Sequence, residues 1–167
     1  MSLGLWRSAG SIIPALLVVG CTAGGGEPSV EKKEANRVNA VYTVDSDKSI
    51  EQVGADLAEA CKKRGFGVLG SHDLQAKMKS KGVDFPEPCL VYEVCNPQKA
   101  SEVLSQDLRI STALPCRISV YRQGEGTRLA TIRPGMMLEM FGAKDLQPVA
   151  QEVERTIFAI MQEAAGR

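Results

Sequence analysis

Apolar side chains recur along this chain in two rhythms, and the changes of rhythm mark its elements. Ile50, Val53, Leu57 and Cys61 fall three or four residues apart, the spacing of one helical face. Ser49 precedes that run with Gln52 three residues on, capping-box spacing, so a helix is expected to open there. Lys62, Lys63 and Arg64 stand where they complement the C-terminal end of the helix dipole, and Gly65 is placed to end it. A further helix is expected from Asn96 as N-cap and Pro97 at the first helical position, with Ala100, Val103, Leu104 and Leu108 as its stripe. Leu146, Val149, Val153, Ile157 and Met161 give the last helix an inward face. A short helix after Asp73 would carry Leu74 and Met78 inward and leave Lys77, Lys79 and Lys81 in solvent.

Between these segments the period drops to two. Val38–Val44 alternates loosely and is β-rich towards its end, a first strand. Phe66–Gly70 is a short apolar run, expected as a buried strand. Pro88–Cys95 places Cys89, Val91, Glu93 and Cys95 on one face and Leu90, Tyr92 and Val94 on the other. Arg117–Arg122 and Arg128–Arg133 form a hairpin around Gln123-Gly124-Glu125-Gly126, and Pro134-Gly135 ends its second strand. The order predicts an α+β fold: a mainly antiparallel sheet with helices packed on one face, in a single compact domain. No glycine-rich phosphate loop follows the first strand, which argues against a doubly wound nucleotide-binding fold.

The first twenty residues follow neither rhythm. Arg7 is their only charged side chain, and it precedes an apolar run, Ile12–Val19, broken only by Pro14. That is the layout of a secretory signal, and the run is shorter than the roughly 20 residues a spanning helix needs. Val18-Val19-Gly20-Cys21 resembles the bacterial lipobox. The resemblance implies cleavage before Cys21, lipid on its sulfur and acylation of the new amino terminus, which together anchor a protein without a spanning helix. Thr22–Asn36, with Gly24-Gly25-Gly26 and mostly polar residues after it, is expected to be a flexible tether. The expected organisation is therefore a signal peptide over 1–20, a lipidated Cys21 and tether over 21–36, and a globular domain over 37–167. Thr22 does not resemble the aspartate that signals inner-membrane retention. The expected location is the bacterial cell envelope, facing the periplasm, with the outer membrane favoured over the inner.

Composition narrows the function classes. The 167 residues hold 20 Lys+Arg against 20 Asp+Glu, so no basic footprint for nucleic acid exists, and only 5% are aromatic. A hydrophobic share of 44% is ample for a core.

Two ordered motifs in the middle of the chain carry a family resemblance. Gly65-Phe66-Gly67-Val68-Leu69, Val91-Tyr92-Glu93-Val94-Cys95-Asn96-Pro97, Leu114-Pro115-Cys116 and Val120-Tyr121 together resemble the "domain of unknown function 302" family over roughly Val41–Met140. Its hallmark is the pair of Cys-Asn-Pro and Leu-Pro-Cys motifs. The resemblance implies a compact α+β domain with an antiparallel sheet and carries no established activity.

With Cys21 lipidated, Cys61, Cys89, Cys95 and Cys116 remain, an even number in an oxidising compartment, so disulfides are expected. Cys89 and Cys95 sit six residues apart on one strand, roughly 20 Å, too far to bridge. Two schemes survive, 61–89 with 95–116 and 61–95 with 89–116, and an antiparallel arrangement favours contact between Cys95 and Cys116. Cys95 also precedes the helix cap Asn96, where a helix N-terminus would lower its pKa and make it nucleophilic, with Cys116 to resolve a mixed disulfide or persulfide. The same pair reads equally well as a structural staple.

Met136, Met137 and Met140 form a thioether cluster and His72 is the lone histidine. With reduced cysteines they are weak candidates for Cu(I), which prefers soft sulfur, although methionines at this density ordinarily fill cores. One histidine without a nucleophile elbow gives a Ser-His-Asp hydrolase no support. The expectation is a non-enzymatic envelope module that needs no cofactor. It would meet the membrane through Cys21, leave nucleic acid alone, and bind a small ligand or an envelope partner protein. A thiol redox or sulfur-handling protein using Cys95 and Cys116 is the alternative, copper binding the second.

Overall fold

The structure, a computed structural model, describes residues 40–167; the expected signal segment, Cys21 and the tether lie outside the described residues. In chain order the elements are β1 (Val41–Ser46), α1 (Ile50–Lys63), β2 (Gly67–Asp73), α2 (Leu74–Lys79), β3 (Cys89–Cys95) and α3 (Pro97–Gln106). A 3-10 segment (Leu108–Ala113) leads to β4 (Cys116–Gln123), β5 (Gly126–Ile132), α4 (Pro134–Glu139), a second 3-10 turn (Lys144–Leu146) and α5 (Gln147–Ala165). The five strands make one antiparallel sheet in the order β1-β5-β4-β3-β2. The fold is α+β, as the periodicities predict.

Register decides which face is covered. Leu90, Tyr92 and Val94 of β3 lie opposite Val120, Ile118 and Cys116 of β4. Val120 lies opposite Leu129, and Leu129 opposite Val44. Because side chains alternate along a strand, these residues share one face. Helix α1 lays Val53, Leu57, Ala60 and Cys61 on that face, and α5 adds Ile157, Ile160, Met161 and Ala164, all fully buried. A smaller second core gathers Val103, Ile110, Leu138, Leu146 and Ala150 beside the first. The opposite face of the sheet carries Glu93, Arg117, Arg128 and Asp45, with Arg128 holding Asp45 at 2.6 Å.

The helix starts follow the local chemistry. Ser49 accepts a hydrogen bond from the Gln52 amide at 3.2 Å, Asp73 from the Ala76 amide at 2.9 Å, and Asn96 from the Lys99 amide at 3.0 Å. Each satisfies an amide that has no partner within its own helix. Gly65 follows α1 at φ +70, the left-handed region that glycine tolerates best.

Four expectations need correction. The run after Phe66 is an edge strand, and β2 has no buried residue; Leu69 is 65% exposed. No residue of α2, which follows that edge strand directly, is buried either. Leu108 leaves the stripe of α3 because the helix ends at Gln106, and it points to solvent. The first strand begins at Val41 and runs on to Ser46, because pairing with β5 extends it past its apolar residues.

Candidate functional site

Sheet and second core do not close completely on each other. Between the end of β3, the start of β4 and helices α3, α4 and α5 lies a cavity of about 60 Å³. Its walls are almost wholly apolar, with Val94, Val103, Leu138 and Ala150 among them and Phe66 entering from the loop before β2. Room of that size admits a few waters or one small molecule. Polar groups enter the wall only from the start of α3, through Asn96 and Lys99. Lys99 is engaged by Glu152 at 2.7 Å.

Asn96 holds this region together by using both ends of its amide. Its oxygen caps α3, and its nitrogen donates to the Gly65 carbonyl at 3.1 Å. The turn that ends α1 is thereby tied to the turn that opens α3. A wider open groove of about 920 Å³ lies outside, between β2 and α3, with the exposed Leu69 and Leu108 on its walls. Phe66, Cys95 and Ala100 wall both spaces, so they form the partition between groove and cavity.

Cys95 and Cys116 both border the cavity, as the sequence suggests, and neither is bridged; all four described cysteines are free thiols. The expected disulfides are therefore absent among the described residues, and the register supplies the reason. Cys116 stands opposite Val94, one residue short of Cys95, so the two cysteines leave the pleat on opposite sides. They reach one cavity because each is the terminal residue of its strand, at the same end of the sheet. Cys61 is buried in the main core, whereas Cys89 begins β3 at its other end.

The expected acidic thiol is corrected as well. Burial pushes the Cys95 thiol up from its ordinary value. Cys116 is pushed up to about 11, first by burial and then by the negative charge of a Cys95 thiolate, against a smaller backbone hydrogen bond. Loss of solvent is the first cause for both thiols. Both groups are thiols at neutral pH, which disfavours spontaneous nucleophilic attack.

The weak metal candidates separate. Met137 of α4 joins the cavity wall, and Met136 is not among the lining residues. Met140 is 86% exposed, and His72 faces Glu93 at 3.5 Å across the β2–β3 pair. Among the described residues no three His, Cys, Asp or Glu side chains converge as a metal site. No described helix is long and apolar enough to cross a membrane. Sequence reasoning missed Phe66, Lys99 and Leu138 as wall residues. Phe66 follows the Gly65 turn signal directly and Lys99 lies three residues after the Asn96 cap, which was the available clue.

The family model described as "Domain of unknown function DUF302" matches residues 42–164. The chain belongs to the DUF302 family. Its fold is similar to the crystal structure of an uncharacterized conserved DUF302 protein from Bacillus stearothermophilus, with 32% identity and a TM-score of 0.73. That match covers 75% of this chain and 98% of the other. Among curated proteins none is detectably similar. In this DUF302 chain the Cys-Asn-Pro motif is the end of β3 and the cap of α3, and Leu-Pro-Cys, with its Leu114–Pro115 peptide cis, opens β4. Both motifs therefore supply walls of the same cavity.

Proposed function

We propose that this DUF302 domain is a small-ligand-binding module of the bacterial cell envelope, with the cavity between β3, β4 and the second core as its site. The observation that carries the reading is the cavity itself. Most of its lining is apolar, its polar groups are confined to one helix start, and both family motifs border it. Apolar shielding with a few fixed polar groups is the ordinary design of a small-molecule site. The partition of Phe66, Cys95 and Ala100 offers a route in from the groove.

The lipobox-like Val18–Cys21 supports lipidation at Cys21 and a place on the periplasmic side of a membrane, the outer one favoured by Thr22. Metabolic labelling with a palmitate analogue, in cells making the wild-type chain or Cys21→Ala, tests the anchor. Label on the first and none on the second is the expected result.

Xenon entry tests the site, since dry apolar cavities take up xenon. Methyl resonances of Val103 and Leu138 are expected to shift saturably under xenon pressure. Ala100→Leu, which fills the partition, is expected to abolish the shift. Unmoved resonances in the wild-type chain would remove the basis for a ligand site.

A further inference from the structure

We infer that the cavity is a soft-metal site in which the sulfurs of Cys95, Cys116 and Met137 take one Cu(I) ion. This rests on the reading of the cavity as a binding site and names its ligand class. Three sulfur side chains from three separate elements border the one small space: the end of β3, the start of β4 and helix α4. None of the four described cysteines is committed to a disulfide. Antiparallel register places the Cys95 and Cys116 Cα atoms as diagonal neighbours, on the order of 6 Å apart. They leave the pleat on opposite sides, yet both line the cavity because each ends its strand there.

The donor chemistry selects the ion. Two thiolates and a thioether are soft ligands, and Cu(I) accepts three of them without a water to complete its shell. Zinc would want a fourth ligand of nitrogen, sulfur or oxygen, and the described residues offer no third His, Cys, Asp or Glu at the site. Binding forms three copper–sulfur bonds and breaks two S–H bonds; the two protons pass to solvent and no electron moves. The product carries one net negative charge. The ligand set differs from the methionine cluster legible in the sequence. Met140 stands in solvent and His72 on another edge of the sheet, so only Met137 of that group reaches the thiols.

The test is an anaerobic competition of the full reduced chain against a chromophoric Cu(I) chelator, with X-ray absorption on the loaded wild-type protein. The expected result is one Cu(I) per chain in a shell of sulfur alone. Cys95→Ser and Cys116→Ser are expected to weaken binding by on the order of 100-fold, and Met137→Leu by about tenfold. Cys89→Ser and Met140→Leu should leave it unchanged. Circular dichroism of each variant separates lost binding from lost folding, and the wild-type sulfur shell stands independently of any variant. Nitrogen or oxygen in the shell, or equal weakening by Cys89→Ser, would overturn the inference. If xenon enters the cavity and Cu(I) does not bind, the metal assignment falls and the small-ligand reading survives. If neither is taken up, both fall.

Discussion

Gly54 shows how tightly the main core is set around single atoms. It lies buried within α1, and a Cβ there would overlap the Tyr92 hydroxyl and come within 3.1 Å of Cζ. The ring would have to shift, and Tyr92 is on the covered face of β3, packed against the main core. Gly54→Ala is expected to destabilise the domain by about 1–3 kcal/mol despite the better helix propensity of alanine. Removing the obstructing oxygen should reduce that cost, because only the 3.1 Å approach to Cζ then remains. In a Tyr92→Phe background the same change is expected to cost less than in the wild type, and a double-mutant cycle by urea denaturation reads the difference. Asn96 is the polar counterpart, with two hydrogen bonds from one amide to two elements. Asn96→Asp keeps the cap and loses the donor to Gly65, whereas Asn96→Ala loses both. The expected order of stability is wild type, then Asp, then Ala, with Ala down by about 1–2 kcal/mol.

Between elements, the C-terminal ends of α1 and α5 are fastened by Glu163, which meets Lys63 at 2.7 Å and Arg64 at 2.5 Å. Hydrogen bonds from Lys63 and Arg64 hold the Glu163 carboxyl below its ordinary value of 4.5. A carboxylate whose folded pKa is depressed stabilises the native state above its unfolded pKa, and that contribution fades as pH falls through the folded one. The fastening is therefore complete at neutral pH and begins to fade only as pH falls below about 4.5. Glu163→Gln is expected to lower Tm slightly at pH 7 and to flatten the acid limb of the Tm–pH curve. Salt should shrink the wild-type advantage, since the pair is exposed. The same scale explains what the sequence disclosed. Helix starts at Ser49, Asp73 and Asn96 were legible because each cap is settled within four residues. The exposure of β2 was not, because an edge is defined by the strand that is missing beside it. Nor was the state of Cys95 and Cys116, where one step of register moves a side chain to the other face. The cavity draws its walls from Phe66 to Val153, and no local pattern spans that distance.

Across the whole molecule, the two cores are unequal, and the difference has a dynamic consequence. The main core is built on the covered face of a five-stranded sheet and sealed by α1 and α5. The second has five buried residues, borders the cavity, and is closed by α3, α4 and two 3-10 turns, all short. A wall facing empty space has no partner atoms on one side and loses those contacts. Regions with few apolar contacts open locally at lower free energy than the strands at the centre of a sheet. Amides of α3, α4 and Leu108–Ala113 are therefore expected to exchange with deuterium through a sub-global opening, well before those of β4 and β5. In mild urea the β4 and β5 amides should follow the full global denaturant dependence, and the second-core amides a weaker one. α5 supplies Ala150 to the small core and Ile157, Ile160 and Met161 to the large one. Its first turns should therefore exchange with the former and its last turns with the latter. An occupant of the cavity would slow only the early set, since it binds the closed form alone. A single exchange rate across both cores would show instead that sheet and second core unfold as one unit, leaving the cavity no opening of its own through which to load.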